Sequence, residues 1–414
     1  MAIAVVLAAG SGTRFGKQSK LLANLWGRHV VEYPIELCKK LGISEINLVV
    51  NDEKDFAKFG CKIHKQQNAY GTGAAVRSVV RAAMQEDVLV LLGDCPLVDI
   101  DDIKLAFEKL IDHDLVIGGV RENGNHNYGR IMIENGAVKS IEESTVSNTN
   151  TEFRNAGWML CKGGIFYDLL SKIPEINGEY YLTECVRLAN EFGFKVAMCE
   201  CKYDVGINTL QEYRIVSSLV QSKLKERAIC NGAIFMDIDS VLLSYDTTIH
   251  GQVTIGPYVV FNGKVDVHSD CVIKPFSYVE DCFIGSGSII GPFAHIRSGT
   301  YLESNVTLGA FVEIKDSIMG KGSKSKHLSY IGNVEVKENA NIGAGTVFCN
   351  YDGKMKHKSI VGKNSFLGAN TTYVSPVDIG DDAIIGAGSV ITKNVTKGSL
   401  AVSRSEQKEY RRKS

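Results

Sequence analysis

From about residue 245 the chain repeats itself every six residues, and this constrains its fold more than any other feature. Aliphatic or aromatic residues stand at Ile249, Ile255, Phe261, Val267, Ile273 and Val279. After a register slip they continue at Ile284, Ile290, Ile296, Leu302, Leu308 and Ile314. The series resumes at Tyr330, Val336 and Ile342, and again at Val361, Leu367, Tyr373, Ile379, Ile385 and Ile391. Such a period is the signature of a parallel β-helix, in which each hexapeptide forms one flat face and its apolar anchor points inward. Glycine often follows the anchor, as at Gly256, Gly285, Gly309, Gly343, Gly362, Gly368 and Gly380. A glycine or asparagine there is expected to let the chain turn the corner. Two stretches, 315–329 and 348–360, interrupt the series. Loops that break a solenoid are where binding groups collect.

The first 206 residues read differently. Apolar strand candidates fall at 4–7, Ile46–Val50, 88–92 and 115–117, with helical patterns such as 30–41 and 74–84 between them. This alternation predicts an α/β domain, a mostly parallel sheet with helices on both faces. Between the halves, Leu210, Tyr213, Val216, Leu219 and Leu224 recur at helical spacing. One helix is expected there, its apolar stripe either docking elsewhere or packing on its own domain. The expected division is 1–208, a linker helix at 209–230, and 231–414.

Composition narrows the function classes. A formal net charge of −1 over 414 residues argues against nucleic acid or a membrane surface as the main partner. No apolar run approaches the length of a transmembrane helix. The apolar start runs straight into a glycine loop and reads as a strand, not a signal peptide. Eleven scattered cysteines without a C-x-x-C pair fit reduced thiols and a cytoplasmic setting.

The opening strand ends in Leu7-Ala8-Ala9-Gly10-Ser11-Gly12-Thr13-Arg14, with Lys20 downstream. Glycines after a strand let backbone N–H groups approach phosphates. The dinucleotide fingerprint fails at Phe15, and the Walker pattern fails at Ser11 and Gln18. A glycine loop followed by Arg and Lys still suits a triphosphate, because two cations offset its charge and help pyrophosphate leave. Asp94 follows an apolar strand in Leu-Leu-Gly93-Asp94. A carboxylate there points into the ligand crevice of a parallel sheet and offers Mg²⁺ a hard oxygen. Strand-end aspartates also serve as helix caps and turn formers.

These residues, with Gln66, Gly71-Thr72, Tyr128-Gly129-Arg130-Ile131, Glu143, Asn155, Glu179-Tyr180-Tyr181-Leu182-Thr183 and Gly206-Ile207-Asn208, come in the order seen in sugar-1-phosphate nucleotidyltransferases. The chain most resembles the bifunctional bacterial N-acetylglucosamine-1-phosphate uridylyltransferase / glucosamine-1-phosphate acetyltransferase family, over nearly its whole length. The resemblance implies that Leu7, Ala8, Ala9, Gly10, Gln66, Gly71 and Thr72 hold UTP, with Gly93 beside Asp94. It implies that Arg14 and Lys20 face the phosphates, that Asp94 and Asn208 hold Mg²⁺, and that Gly129, Glu143 and Asn155 contact the sugar. The implied reaction is in-line attack of the sugar phosphate on the α-phosphorus of UTP, expelling pyrophosphate, with no covalent intermediate. Two departures stand out. Ser19 replaces the family's proline before the lysine, and the spacing from Arg14 to Lys20 is one residue shorter.

The resemblance extends through Gly-Pro-Phe-Ala-x-Ile-Arg297, Glu313-Ile-Lys315, Lys-x-x-His327-Leu-Ser-Tyr330, Asn341-Ile-Gly-Ala344 and Cys-Asn350-Tyr351. Taken alone, His327 is a loop histidine of the kind usually just solvated. In this context it suits the base that acetyl transfer to an amine needs near neutral pH. Coil stacking is expected to bring Arg297 and Lys315 together, two cations for a sugar phosphate. The resemblance implies His327 as general base, with Arg297, Lys315, Tyr330 and Asn341 around glucosamine-1-phosphate. It implies Ala344, Asn350, Tyr351, Ala369, Ala387 and Arg404 along acetyl-CoA, with Ala369 standing where the family has serine. It further implies a left-handed β-helix and a homotrimer with shared sites. The basic tail after Arg404 either touches CoA phosphates or is a solvated end. Two rivals remain: a sugar nucleotidyltransferase of other base or sugar preference, and a trimeric scaffold with a dead front site.

Overall fold

The structure is a computed structural model that describes residues 2–10, 15, 19–66, 70–81, 85–121, 128–143, 151–202, 206–410 and 412. The chain divides into two compact units, Met1–Val220 and Gln221–Ser414.

In the first unit, period-2 alternation decides the layering. On the strand Ala2–Ala8, Ile3, Val5 and Leu7 enter one core, whereas Ala4, Val6 and Ala8 enter another. Each face therefore needs its own helices. The first core is closed by Thr72–Arg77, Gly163–Ser171 and Glu184–Glu191, the second by Glu32–Lys40 and Ile100–Leu110. The nine-stranded sheet runs Val196–Cys201, Leu115–Arg121, Phe153–Cys161, Asp87–Leu92, Ala2–Ala8, Ile46–Val50, Lys62–Lys65, with the hairpin Arg130–Glu134/Ala137–Glu142 attached to Phe153–Cys161. It is mixed, because Phe153–Cys161 lies antiparallel between two otherwise parallel neighbours. The helix expected at 74–84 is shorter, Thr72–Arg77, and 82–84 lie outside the described residues. Val79 and Val80, β-branched and stiff, follow directly. Arg77 is held by bonds donated to Leu170 O (2.7 Å) and Ile173 O (3.0 Å).

The helix between the halves spans Leu210–Cys230 and contains the boundary between the units. Its buried apolar residues are Val216, Val220, Leu224 and Ala228, while Leu210 is 64% exposed and so leaves the expected stripe. In the first unit Trp26 Nε1 donates to Ser217 O (2.9 Å). In the second, Gln221 exchanges two hydrogen bonds with the Leu243 backbone (2.6 and 3.1 Å). No helix among the described residues is long and apolar enough to cross a membrane.

The second unit is a parallel β-helix. Ile255, Ile273, Ile290, Leu308, Ile342, Leu367 and Ile385 fill its first face, and Phe261, Val279, Ile296, Ile314, Phe348, Tyr373 and Ile391 its second. The third holds Ile249, Val267, Ile284, Leu302, Met319, Val336, Val361 and Ile379. All these anchors are buried. A fully buried side chain of this kind stabilises by about 1.5–3 kcal/mol.

Three details differ from the expectation. The stretch 315–329 is not a loop: Ile318–Met319 and Lys324–Gly332 pair in register with neighbouring coils. The apolar series lapses there because Ser325, fully buried, takes the anchor position. Second, Ile331 is the inward residue and Tyr330 is not, so the series resumes one residue later than it reads. Third, the glycine after the anchor does not turn the corner. A Cβ on Gly285 would stand 2.7 Å from Glu303 C, and one on Gly343 2.5 Å from Gly368 C, so that glycine makes room for the adjacent coil. The left-handed turn falls on the third residue after the anchor, as at Gly287, Asn305, Gly322, Asn339, Asn364 and Asn370.

Candidate active sites

In the first unit, one cavity of about 750 Å³ gathers Leu7, Ala9, Gly10, Lys20, Gln66, Gly71, Thr72 and Asp94. Ala8, buried, points to the opposite side of its strand. Arg14 lies outside the described residues, as do Ser11, Gly12 and Thr13. Two glycines are demanded by close approach. A Cβ on Gly93 would stand 2.8 Å from Leu7 O, and Gly71, at φ 101°, lies against the Tyr180 backbone. Gly10 has open space beside it, where a phosphate's oxygens have room. Gln66 Nε2 donates to Gly71 O (3.2 Å), and Thr72 Oγ1 accepts from Leu182 N (2.9 Å). Asn51, Tyr70 and Glu179 also line the cavity. The sequence reading assigned none of them a ligand contact, because they come from separate strand ends and loops.

Lys20 is the centre of this site. It opens the short 3₁₀ turn Lys20–Leu22, is buried, and donates to Asp94 Oδ2 and to Asn208 Oδ1 (2.8 Å). Asn208 is placed by a capping box at the start of the following helix. Glu212 Oε2 accepts from Asn208 N and Thr209 N (both 2.8 Å), and Thr209 Oγ1 accepts from Glu212 N (3.2 Å). The pattern Thr209-x-x-Glu212 was readable in the sequence and was missed.

Gly129 and Asn155 are joined by backbone pairing, whereas Glu143 is held by Thr183. Asn155 N donates to Gly129 O (2.8 Å), and Thr183 Oγ1 donates to Glu143 Oε1 (2.8 Å). Burial raises the Glu143 pKa, the Thr183 hydroxyl opposes this, and Glu179 and Glu184 add to the rise.

In the second unit His327 is exposed on the strand Lys324–Gly332, level with Ala310 of the coil before it. It lies two residues past the anchor Ser325. Ala344, Ala369 and Ala387 occupy the same position after Ile342, Leu367 and Ile385, which pair in register with one another. His327 thus heads a column of alanines down one corner. Arg404 Nη1 donates to Ala387 O (2.5 Å) at its far end. Residues 405–410 are exposed and carry no regular structure.

Arg297 and Lys315 do stack, because Ile296 pairs with Ile314 and Arg297 N donates to Ile314 O (2.9 Å). They sit at the opposite edge of the second face from His327. Arg297 Nη1 bonds Glu313 Oε1 (2.7 Å), which raises the guanidinium pKa further. Tyr330 follows Glu313 in register, and Asn350 Nδ2 donates to Asn333 Oδ1 (2.6 Å) close by. Tyr351 lies in the excursion after Val347–Cys349, 60% exposed, its hydroxyl donating to Gly353 O (2.7 Å). Asn341 lies on the first face, one coil beyond Lys324. The residues expected at the second site thus fall into two groups, His327 with the alanine column at one corner, and Arg297, Lys315 and Tyr330 near Asn350 at the other.

Residues 4–156 match the family described as MobA-like NTP transferase domain. Residues 281–316 match the bacterial transferase hexapeptide (six repeats), and 359–393 the hexapeptide repeat of succinyl-transferase. Fold and sites together define a two-part transferase, a nucleotidyltransferase followed by a hexapeptide-repeat acyltransferase. Proteins named bifunctional protein GlmU are similar over nearly the whole length. That of Bartonella quintana is 37% identical over 424 residues, covering 98% of this chain and 94% of the relative. That of Paramagnetospirillum magneticum is 36% identical, with the same coverage, and that of Anaplasma marginale is 34% identical, covering 97% of each. The chain belongs to the family of the bifunctional protein GlmU and is a bifunctional enzyme.

Proposed function

We propose that the chain makes UDP-N-acetylglucosamine in two steps, acetylation of glucosamine-1-phosphate by acetyl-CoA and then transfer of UMP from UTP. The observation that carries the second step is the cavity in which the glycine strand end, Lys20 and Asp94 converge. Leu7, Ala9, Gly10, Gln66, Gly71 and Thr72 bind the nucleotide there. Lys20, with Arg14, neutralises charge on the α-phosphate and on departing pyrophosphate. Gly129, Glu143 and Asn155 orient the sugar, whose phosphate oxygen attacks the α-phosphorus in line.

Asp94 and Asn208 fit Mg²⁺, because both turn a hard oxygen onto one cation, the Lys20 ammonium. When bound, the ion supplies further neutralisation of the triphosphate.

For the first step, His327 removes a proton from the amine as nitrogen attacks the acetyl carbonyl. The new C–N bond replaces the C–S bond, and the proton passes to the CoA thiolate. Arg297, Lys315, Tyr330 and Asn341 hold the sugar phosphate. Acetyl-CoA lies along Ala344, Ala369 and Ala387 towards Arg404, with Asn350 and Tyr351 contributing. The separation of the two groups supports a homotrimer that joins one copy's column to another's cations. So does the exposed ladder Tyr258, Phe276, Phe293 and Phe311, stacked at 5.0–5.2 Å. Free cysteines throughout fit a cytoplasmic enzyme.

The test supplies glucosamine-1-phosphate and acetyl-CoA, or N-acetylglucosamine-1-phosphate, UTP and Mg²⁺. Thiol release is expected from the first mixture and pyrophosphate from the second. Absence of either product removes the corresponding step. Light scattering checks the trimer, and a monomer that retains full acetyl transfer would exclude shared sites.

A further inference from the structure

A cluster in the second unit, apart from the residues expected at its acetyl-transfer site, has metal-ligand chemistry. On the third face of the β-helix, Ile249 pairs with Val267 in parallel register, so the residues after them, His250 and His268, stand in line. Their rings lie 4.7 Å apart at 30°. Asp266, one residue before the anchor Val267, turns its carboxylate to both. His250 Nε2 is 2.7 Å from Oδ1, and His268 Nε2 is 3.8 Å from Oδ2. One ligand atom from each residue can be chosen so that all three lie within 4.8 Å of one another.

We infer that His250, Asp266 and His268 form a binding site for a divalent transition-metal ion, Zn²⁺ foremost. Imidazole nitrogen and a carboxylate are the donors that Zn²⁺, Co²⁺ and Ni²⁺ prefer, whereas Mg²⁺ prefers oxygen alone. Zinc takes such ligands at about 2.0–2.2 Å in a tetrahedron, which sets neighbouring ligand atoms roughly 3.4 Å apart. The observed 2.7 and 3.8 Å, to the two carboxylate oxygens, lie on either side of that value, and the three ligand atoms fall within 4.8 Å of one another.

The backbone beneath is fixed. His250 N donates to Val267 O and His268 N to Ile284 O (both 2.9 Å), so the solenoid ladder holds the Cα positions with or without metal. Phe283 backs the His268 ring at 4.7 Å. In the column of His250 and His268 the next residue is Gly285, and in the row of Asp266 the neighbours are Thr248 and Phe283. Among the cluster and these three neighbours, only His250, Asp266 and His268 carry nitrogen or carboxylate donors. All are partly exposed, at 49%, 36% and 37% of their side chains, so the ion enters from solvent and open positions remain for water.

The test uses the full-length, untagged chain stripped with a chelator, titrated with Zn²⁺ by calorimetry and with Co²⁺ by visible absorption. Asp94→Ala is included so that the front site is not counted. One ion per chain is expected in wild type and in Asp94→Ala. His250→Ala and His268→Ala should each weaken binding by more than about 10–100-fold, the loss that removal of an outer-shell partner alone causes. The Co²⁺ spectrum should lack thiolate charge-transfer absorption. Unchanged stoichiometry and affinity in both histidine variants, a thiolate spectrum, or no uptake would each overturn the site. Because the three side chains are only partly buried and the ladder is backbone, circular dichroism should show all variants folded.

Discussion

The ammonium of Lys20 and the carboxylate of Asp94 form a partly buried ion pair in the front cavity, and Asn208 Oδ1 accepts a second hydrogen bond from the same ammonium. One cation thus satisfies both oxygens assigned to Mg²⁺. On the proposed reading, Lys20 and Mg²⁺ would compete for Asp94 until a phosphate drew the lysine away.

Lys20→Ala is expected to lower pyrophosphate release by about 10²–10³-fold, the loss typical for one donor to developing charge. Thiol release should stay unchanged. Without nucleotide, calorimetry should show tighter Mg²⁺ binding in this variant than in wild type. Weaker binding would mean that the lysine supports the metal and does not compete with it.

His327→Ala is expected to lower thiol release by about 10²–10⁴-fold, the usual contribution of a general base. Pyrophosphate release from N-acetylglucosamine-1-phosphate should not change. His327 is exposed and its strand is held by backbone pairing, so the thermal midpoint should move little. A variant with intact acetyl transfer would assign the proton to another group.

The two kinds of glycine in the β-helix should respond differently to alanine. At Gly285 the added Cβ meets the Glu303 backbone at 2.7 Å, so coils must separate. At Gly388 there is open space, but φ is 72°, and the cost is about 1–2 kcal/mol. Denaturant midpoints should fall much further for Gly285→Ala. Equal losses would return the post-anchor glycine to a turning role.

Burial raises the Glu143 pKa, with Glu179 and Glu184 adding to it. A raised carboxyl contributes stability below its unfolded value, roughly 4.3, and loses it as pH rises through the folded value. The stability difference between Glu143→Gln and wild type should therefore shift in the variant's favour as pH rises from about 4 to neutrality. Urea titrations at several pH values measure this, and a pH-independent difference would place the group's ionisation outside that range.

Much of the β-helix was legible because burial enforces one anchor per face. Where the text lapsed, the backbone did not. Ser325 is small enough to sit inside a narrow coil, so hydrophobicity vanished at 325 while the ladder continued. Tyr330 imitated an anchor because the true one, Ile331, is its neighbour. In the front unit, a mostly parallel sheet was readable from alternating strands and helices. The antiparallel strand Phe153–Cys161 was not, since its partners are fixed by long-range pairing. Of the front-site residues, Asp94 was readable as a carboxylate just past an apolar strand, whereas Tyr70 and Glu179, from loops far apart in sequence, depend on how distant segments line up.

The alanine column has a length. Ser325 pairs with Ile342, that with Leu367, that with Ile385, and that with Ala401. Three coil steps of about 4.8 Å make roughly 14 Å from the level of His327 to that of Ala387, whose carbonyl the Arg404 guanidinium meets. The corner is thus a ruler cut into the solenoid, with an imidazole at one mark and a guanidinium at the other. On the proposed reading, a thioester whose carrier arm spans that interval would engage both marks at once, whereas a short acyl thioester would reach only the histidine, so the carrier would be selected by length before chemistry.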